Sequence, residues 1–475
     1  MPSLLIVIPL FLLLFINLPL GKALRKAAFW LALLLFLLQA AVAVLNLPLP
    51  VMQKLMSMDV FLKIDLPLDA FGAVALFCIG LVCFTSLLVS GNFMDEDRRF
   101  NFINVLIIAS IGMCGVILVQ DLFSMYVYLE ITGIASFILI AFDRDAKGLE
   151  GSFKYIMLSA VATVLMLTSI SLIFLSAGSV SFAAAKGLLA IPGNVINVLA
   201  IALFLCGAFI KSGVVPFHGW LPDAYSSAPP PVAILLAGIV TKISGVYVLI
   251  RVVLSVFGLN GPMRDVIMVL GAASIIVGAL AAFNQKHMKK LLAWSSVSQI
   301  GYIVLGFAVG NVAGLVGAIF HFFNHAMFKS LLFVNAAAVE KSAGTDEMDK
   351  LGGVSEAMPV TGVTSVVGVL STAGIPPLSG FWSKLLIIIG LWQAHHHIYA
   401  LIAVVFSVVT LGYLLYMQRK VFWGKLAAGL SSIKEAGFGP TFAAILLALI
   451  NVGVGVAFPF ILNKYIVPVK ELLGK

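Results

Sequence analysis

Apolar runs of membrane-crossing length follow one another along almost the whole chain, separated by short charged or Pro/Gly-rich breaks. They fall at 3–20, 27–47, 68–91, 101–119, 122–142, 153–177, 195–228, 231–256, 263–284, 289–309, 312–338, 359–395, 398–420 and 440–462. A spanning helix needs ~20 predominantly apolar residues, because lipid offers the backbone no hydrogen-bonding partners. Composition agrees: 62% of the 475 residues are apolar and 10% charged, with mean hydropathy +1.14, whereas a soluble domain carries about 25% charge. Packed into one soluble core, this chain would lack the polar residues to cover its surface. The sequence therefore predicts an all-α polytopic membrane protein of about 14 transmembrane helices, and soluble-enzyme classes are excluded. The first run has no basic segment before it and no small-residue cleavage site, and is read as a helix rather than a signal peptide.

The 29 Lys and Arg residues set an expected orientation. Loops after odd-numbered spans carry 17 of them, among them Lys22, Arg25, Arg98, Arg144, Lys154, Lys289, Lys290 and Lys420. The other loops and the tails carry eight: Lys54, Lys63, Lys186, Arg251, Arg264, Lys464, Lys470 and Lys475. The positive-inside rule puts the richer side in the cytoplasm and both termini outside. Four cysteines, Cys78, Cys83, Cys114 and Cys206, lie in apolar stretches without metal-ligand spacing and read as buried thiols. Redox cofactors, if the protein serves redox chemistry, belong to other chains.

Four lysines fall in no loop. Lys211, Lys242, Lys329 and Lys384 sit within spans seven, eight, eleven and twelve, and Glu130 sits near the middle of span five. At ~2.5 kcal/mol or more each, five isolated mid-bilayer charges would cost over ~12 kcal/mol. They are expected to pair or to line water rather than face lipid. Snorkelling to the interface is the competing reading for Lys329. It fits Glu130 poorly, with eight residues of its span before it and twelve after.

Two of the spans are interrupted. The seventh contains Lys211-Ser-Gly-Val-Val-Pro-Phe-His-Gly-Trp-Leu-Pro-Asp223, and the twelfth Gly374-Ile-Pro-Pro-Leu-Ser-Gly-Phe-Trp-Ser-Lys384. Proline removes a helical donor and clashes with the preceding turn. Such breaks are tolerated at membrane depth only where protein or water satisfies the freed groups. Two interrupted helices, each beside a lysine and five spans apart, point to transporter repeats with an ion site; a packing kink is the bland alternative. In span eleven, His321, His325 and Lys329 recur every four residues on one helical face. Histidine can pass protons in either direction near neutrality. Metal binding and a structural hydrogen-bonding face are the rival readings, the first weakened by the lack of a nearby carboxylate or cysteine. Ser295, Ser296, Ser298 and Gln299 add a polar patch in span ten, while His395-His396-His397 reads as outer surface.

From about Leu68 to Gly424 the chain resembles the antiporter-like subunits of respiratory complex I, Mrp-type cation/proton antiporters and membrane-bound hydrogenases. The resemblance rests on Asp121-Leu-Phe with Glu130 and on Lys211 followed by Pro-Phe-His-Gly-Trp-Leu-Pro-Asp-Ala. It continues through Leu-Ala-Gly-Ile-Val-Thr-Lys242, Lys289-Lys-Leu-Leu-Ala-Trp-Ser-Ser-Val-Ser-Gln-Ile-Gly301, the His321/His325/Lys329 face and Gly374-Ile-Pro-Pro through Lys384. Trp294 and Gln299 stand where the family often has Tyr and His, and Lys384 where some members use Glu. The chain also stops soon after its fourteenth span, without the long lateral helix of the largest complex I subunit of this type.

The resemblance implies two inverted five-helix repeats, each with a broken helix: 101–260 (helices 4–8) and 261–424 (helices 9–13). Helices 1–3 (1–100) precede them, and helix 14 with the tail (425–475) follows. It implies that Glu130 and Lys211 form a switchable ion pair, that Lys242, His321, His325 and Lys329 carry charge laterally, and that Lys384 governs the far side. The expected protein is a proton-translocating subunit, with no redox centre of its own, of a redox-driven complex in a prokaryotic cell membrane. Its expected partners are other membrane subunits, protons or Na⁺, and the lipid bilayer, with no nucleic acid. Flavin, iron–sulfur or nickel–iron centres would lie in partner subunits. The alternatives are an Mrp-type Na⁺/H⁺ antiporter subunit and a stand-alone secondary solute transporter.

Overall fold

The computed structural model describes residues 4–19, 22–46, 68–188, 194–427 and 429–473. Lys54, Lys63 and Lys475 of the loop tally lie outside the described residues, as do the extreme ends of the first two expected spans. The helices are α1 (Leu4–Ile16), α2 (Lys22–Asn46), α3 (Ala70–Phe93), α4 (Glu96–Leu118), α5 (Leu122–Ile140) and α6 (Ala146–Ala177). Next come the interrupted pair α7a (Val195–Ser212) and α7b (Leu221–Ser227), then α8 (Pro230–Phe257), α9 (Gly261–Phe283), α10 (Met288–Ala308) and α11 (Val312–Ala343). The second interrupted pair, α12a (Pro359–Ala373) and α12b (Ser379–Gln393), leads to α13 (His397–Val421) and α14 (Phe438–Val456). Among the described residues, 12 helices are long and apolar enough to cross a membrane. The short apolar α1 and the divided α12 complete the fourteen expected spans.

Short polar side chains start these helices. Asp69, Asp95, Asp121 and Asp145 each accept a hydrogen bond from the amide three residues on, at 2.8, 2.9, 2.7 and 3.0 Å. Asn260 and Asn311 do the same for α9 and α11. Each satisfies an amide that the first helical turn leaves without a partner. Several helices run further than their apolar pattern suggests: α2 and α4 each start five residues early, and α6 and α11 are extended too. α6 starts seven residues before its expected span, so that Lys147, Glu150 and Lys154 lie on its first turns, and α11 extends five residues past its expected end to Ala343. Charged residues at those ends mark where the helix leaves the apolar layer, and the helix itself stops only at its caps, Asp145 and Gly344.

Both expected interruptions are present. α7a ends at Gly213 (φ 66°) and α12a at Gly374 (φ 86°), in the left-handed conformation that a side chain disfavours. A third irregularity lies in α8, where Leu236–Val240, Lys242–Tyr247 and Val253–Phe257 form wide π-turns. Close packing accompanies it: a Cβ on Gly245 would come within 2.4 Å of the Ser212 backbone, and one on Gly238 within 2.4 Å of Ser330 Oγ. The glycines thus let α8 press against α7a on one side and α11 on the other.

The apolar window of α8 is 100% buried and those of α10 and α11 94%, whereas those of α6 and α13 are only 28% buried. The central helices are therefore α8, α10 and α11; α8 carries Lys242 and α11 carries His321, His325 and Lys329. Arg251, counted above with the outer loops, lies inside α8. It makes a two-pronged ion pair with Asp69 at the start of α3 (Nη2 to Oδ1 2.7 Å), and its other donors reach the Tyr247 hydroxyl. A guanidinium so paired can sit below the surface, which is why the loop assignment fails for it.

Candidate functional site

The site begins on α5, where Glu130 is the ninth residue of the helix. Its carboxylate accepts from Thr163 Oγ1 of α6 at 2.7 Å and from Lys211 Nζ of α7a at 3.2 Å. Lys211 also donates to Ser159 Oγ of α6 at 3.2 Å. The lysine side chain is 5% exposed and the glutamate 29%, so the pair sits at a boundary, with the acid on the more open side. Lys211 stands two residues before the terminating Gly213, and the C-terminal end of α7a is the end of a helix dipole that favours a cation. Beside it lies a cavity of about 10 Å³, lined by Tyr155, Ser159, Ile210, Lys211, Trp220 and Ser244, about the size one water occupies. Ser244 in that lining belongs to α8.

Lys242 is fully buried on α8 and turns its ammonium back to the carbonyl of Ala237, within the π-turned stretch. It makes no hydrogen bond or ion pair with another charged side chain among the described residues. On α11, His321, His325 and Lys329 are all fully buried, so Lys329 does not snorkel. Its ammonium donates to Ser295 Oγ at 2.7 Å and to the Leu292 carbonyl at 3.1 Å on α10, and Ser295 shares a 2.8 Å hydrogen bond with the Tyr413 hydroxyl. The rings of His321 and His325 lie stacked, centroids 6.4 Å apart.

Lys384 stands on the second turn of α12b and donates to the carbonyls of Thr372 (2.9 Å) and Ala373 (3.3 Å), the last two residues of α12a. Its ammonium also lies 4.6 Å from the centre of the Tyr302 ring, a cation–π contact. Tyr302 in turn faces the His321 ring at 5.8 Å, and His321 Nδ1 shares a 2.9 Å hydrogen bond with Ser383 Oγ, next in sequence to Lys384.

The seven expected residues thus fall into linked groups. Glu130 and Lys211 are a direct pair. His325, His321 and Lys384 connect through ring stacking, Ser383 and Tyr302. Lys242 and Lys329 each stand alone, held by backbone carbonyls and a serine. Sequence reasoning passed over Thr163, Ser159, Tyr302, Ser383 and Tyr413, which are ordinary residues for membrane helices. Ser295 was visible as part of a polar patch, without its partner. No group of three His, Cys, Asp or Glu placed to hold a metal ion occurs among the described residues.

A helical membrane protein with two interrupted helices and buried amines along its central helices has the make-up of an antiporter-like membrane subunit. Residues 119–410 match the family described as NADH:quinone oxidoreductase/Mrp antiporter, TM. The chain is 33% identical over 357 residues to NADH-quinone oxidoreductase subunit N of Desulforudis audaxviator, covering 74% of this chain and 71% of the relative. It is 30% identical over 351 residues to a Na⁺/H⁺ antiporter subunit of Alkalihalophilus pseudofirmus, covering 73% and 70%. Its fold superposes on a chain of the Mrp complex from Dietzia sp. with a TM-score of 0.89 and 25% identity, over 99% of this chain and 97% of that one. The protein belongs to the NADH:quinone oxidoreductase/Mrp antiporter transmembrane family, as an antiporter-like membrane subunit that functions with other membrane subunits.

Proposed function

We propose that this chain translocates protons as a subunit of a redox-driven complex of the complex I or hydrogenase type. The single observation that carries the reading is the half-buried Glu130–Lys211 pair beside a water-sized cavity, at the head of a file of buried amines and imidazoles. Loss of one partner of such a pair leaves the other charge poorly solvated and drives it to gain or release a proton. In this reading Glu130 and Lys211 form the switch, and Lys242, His321, His325 and Lys329 pass the charge laterally. Lys384 governs the connection to the far side. The two halves are the repeats 101–260 and 261–424, and both termini are extracytoplasmic in a prokaryotic cell membrane. Any flavin, iron–sulfur or nickel–iron centre belongs to partner subunits.

The test is proton uptake into vesicles carrying the assembled complex, driven by its own donor. Glu130→Gln keeps volume and hydrogen-bonding capacity but cannot balance a charged Lys211. It should lower uptake by about a hundredfold or more, the scale of losing a proton-transfer group. Glu130→Asp keeps the charge one methylene short and should retain part of the rate. Wild-type uptake by the glutamine variant removes Glu130 from the mechanism.

A second reading, an Mrp-type subunit exchanging Na⁺ for protons, is favoured by the likeness to the Dietzia Mrp chain and to the Alkalihalophilus Na⁺/H⁺ antiporter protein. Activity at fixed pH that requires Na⁺ supports it; Na⁺-independent proton uptake supports the first reading.

A further inference from the structure

α14 lies outside both proposed repeats, yet it reaches into the second helix break. Asn451 is 1% exposed and is the sole polar or charged residue among the buried positions of α14; the rest are Gly, Pro, Ala and Leu. A carboxamide in the apolar part of a membrane helix is costly unless it is bonded. Its Nδ2 donates to the Leu447 carbonyl of its own helix at 2.8 Å. Its Oδ1 accepts from Ser371 Oγ at 3.0 Å and from Ser379 Oγ at 3.4 Å. Those serines lie on opposite sides of the break, one on α12a and one on α12b, with their own hydroxyls 3.4 Å apart, so the Asn451 oxygen joins a three-way contact that spans the two halves. Ser371 directly precedes Thr372 and Ala373, whose carbonyls hold the Lys384 ammonium. The Ser379 carbonyl accepts from Asn324 Nδ2 at 2.9 Å, next in sequence to His325.

Two further stitches join α14 to the same place. Trp382 Nε1 donates to the Gly455 carbonyl at 3.0 Å. A Cβ on Gly455 would come within 2.3 Å of the Pro377 carbonyl oxygen, so backbone meets backbone there.

We propose that Asn451 is a positioning residue for ion translocation: by bridging Ser371 and Ser379 it sets the geometry of the α12 break, and with it the carbonyl seat of Lys384. α14 is therefore part of the transport machinery rather than a helix that only fills the bundle. The proposal rests on the proton-translocation reading above.

The test uses vesicles carrying the assembled complex, with assembly followed on native gels and proton uptake as the readout. Asn451→Leu should lower uptake roughly five- to tenfold, the scale of one lost buried hydrogen-bonding group, with assembly retained. Asn451→Gln, which keeps the carboxamide, should restore most of the rate, a rescue that a space-filling role for Asn451 would not give. If Asn451→Leu fails to assemble, the double variant Ser371→Ala/Ser379→Ala, which adds no bulk, decides: a comparable loss supports the proposal and a wild-type rate overturns it. In assembled complexes, wild-type uptake by Asn451→Leu, or a glutamine variant as slow as the leucine one, also overturns it. Lys384→Ala is the control. If it abolishes uptake while the Asn451 and serine variants pump normally, the inference fails alone; if it pumps normally, the role of Lys384 falls first and this proposal with it.

Discussion

Lys384 shows how a buried amine is held without an acid. Its donors go to the two final carbonyls of α12a, where the helix dipole is negative, and its charge rests over Tyr302. None of these partners is a charged group, so the lysine is held without a counter-ion. Lys384→Ala should lower coupled proton uptake by about tenfold or more, while the complex still assembles, because the surrounding backbone is already irregular. Uptake assays paired with native gels check this, and a variant that fails to assemble makes Lys384 structural. Lys329, by contrast, is tied to Ser295, and Ser295 to Tyr413, so its ammonium can be disturbed from α13, a helix that contributes no charge of its own to the site.

At the level of helices, the breaks in α7 and α12 were legible because proline and glycine act locally. The wide turns of α8 were not. They come with tertiary contacts, Gly238 admitting α11 and Gly245 admitting α7a, and with Lys242 folding back on Ala237 of its own helix. No short-range pattern announces such contacts, although two glycines seven apart on the helix that carries Lys242 were a usable hint. The Arg251–Asp69 pair was equally hidden, since its members stand 182 residues apart.

That pair pins α3 to α8. Burial works to raise the Asp69 carboxyl, but the Arg251 guanidinium beside it and the Gly72 amide hold it below its usual range. A depressed carboxylate contributes stability that is fully present above its unfolded value and is lost as pH falls through the folded one. The wild-type protein in detergent should therefore lose stability as the pH drops through and below the ordinary aspartate range, and Asp69→Asn should flatten that dependence. Because Asp69 is partly exposed, the substitution should cost about 2 kcal/mol at neutral pH, less than a fully buried pair. Thermal unfolding of the purified protein at several pH values reads both effects.

Across the whole molecule, contacts between helix ends and loops bear on topology. Lys154 of α6 and Lys290 of α10 both bind Asp223 at 2.7 and 3.3 Å, Lys420 pairs with Asp349, and His287 meets Asp346 at 2.8 Å. All of these residues lie at or near the ends that follow odd-numbered spans, so those ends meet on one side of the bundle. With that side in the cytoplasm, both termini should be extracytoplasmic. A C-terminal reporter that works only in the cytoplasm should stay silent, and activity from it reverses the orientation. The seven candidate residues stand out in the sequence because charge is scarce in an apolar chain. Their linkage was not legible there, because Tyr302, Ser383 and Thr163 are too ordinary to stand out.

Within this bundle one carboxylate, Glu130, is ranged with four lysines, Lys211, Lys242, Lys329 and Lys384. If protons travel along that file, its arithmetic restricts the traffic. Like charges in a poorly screened interior repel over long distances, so the file cannot hold all four amines charged against a single acid. A proton entering at one end then raises the cost of every charge already aboard and favours the release of one further along. On that reading, each charge moved is coupled to the opening and closing of the contact between Glu130 and Lys211.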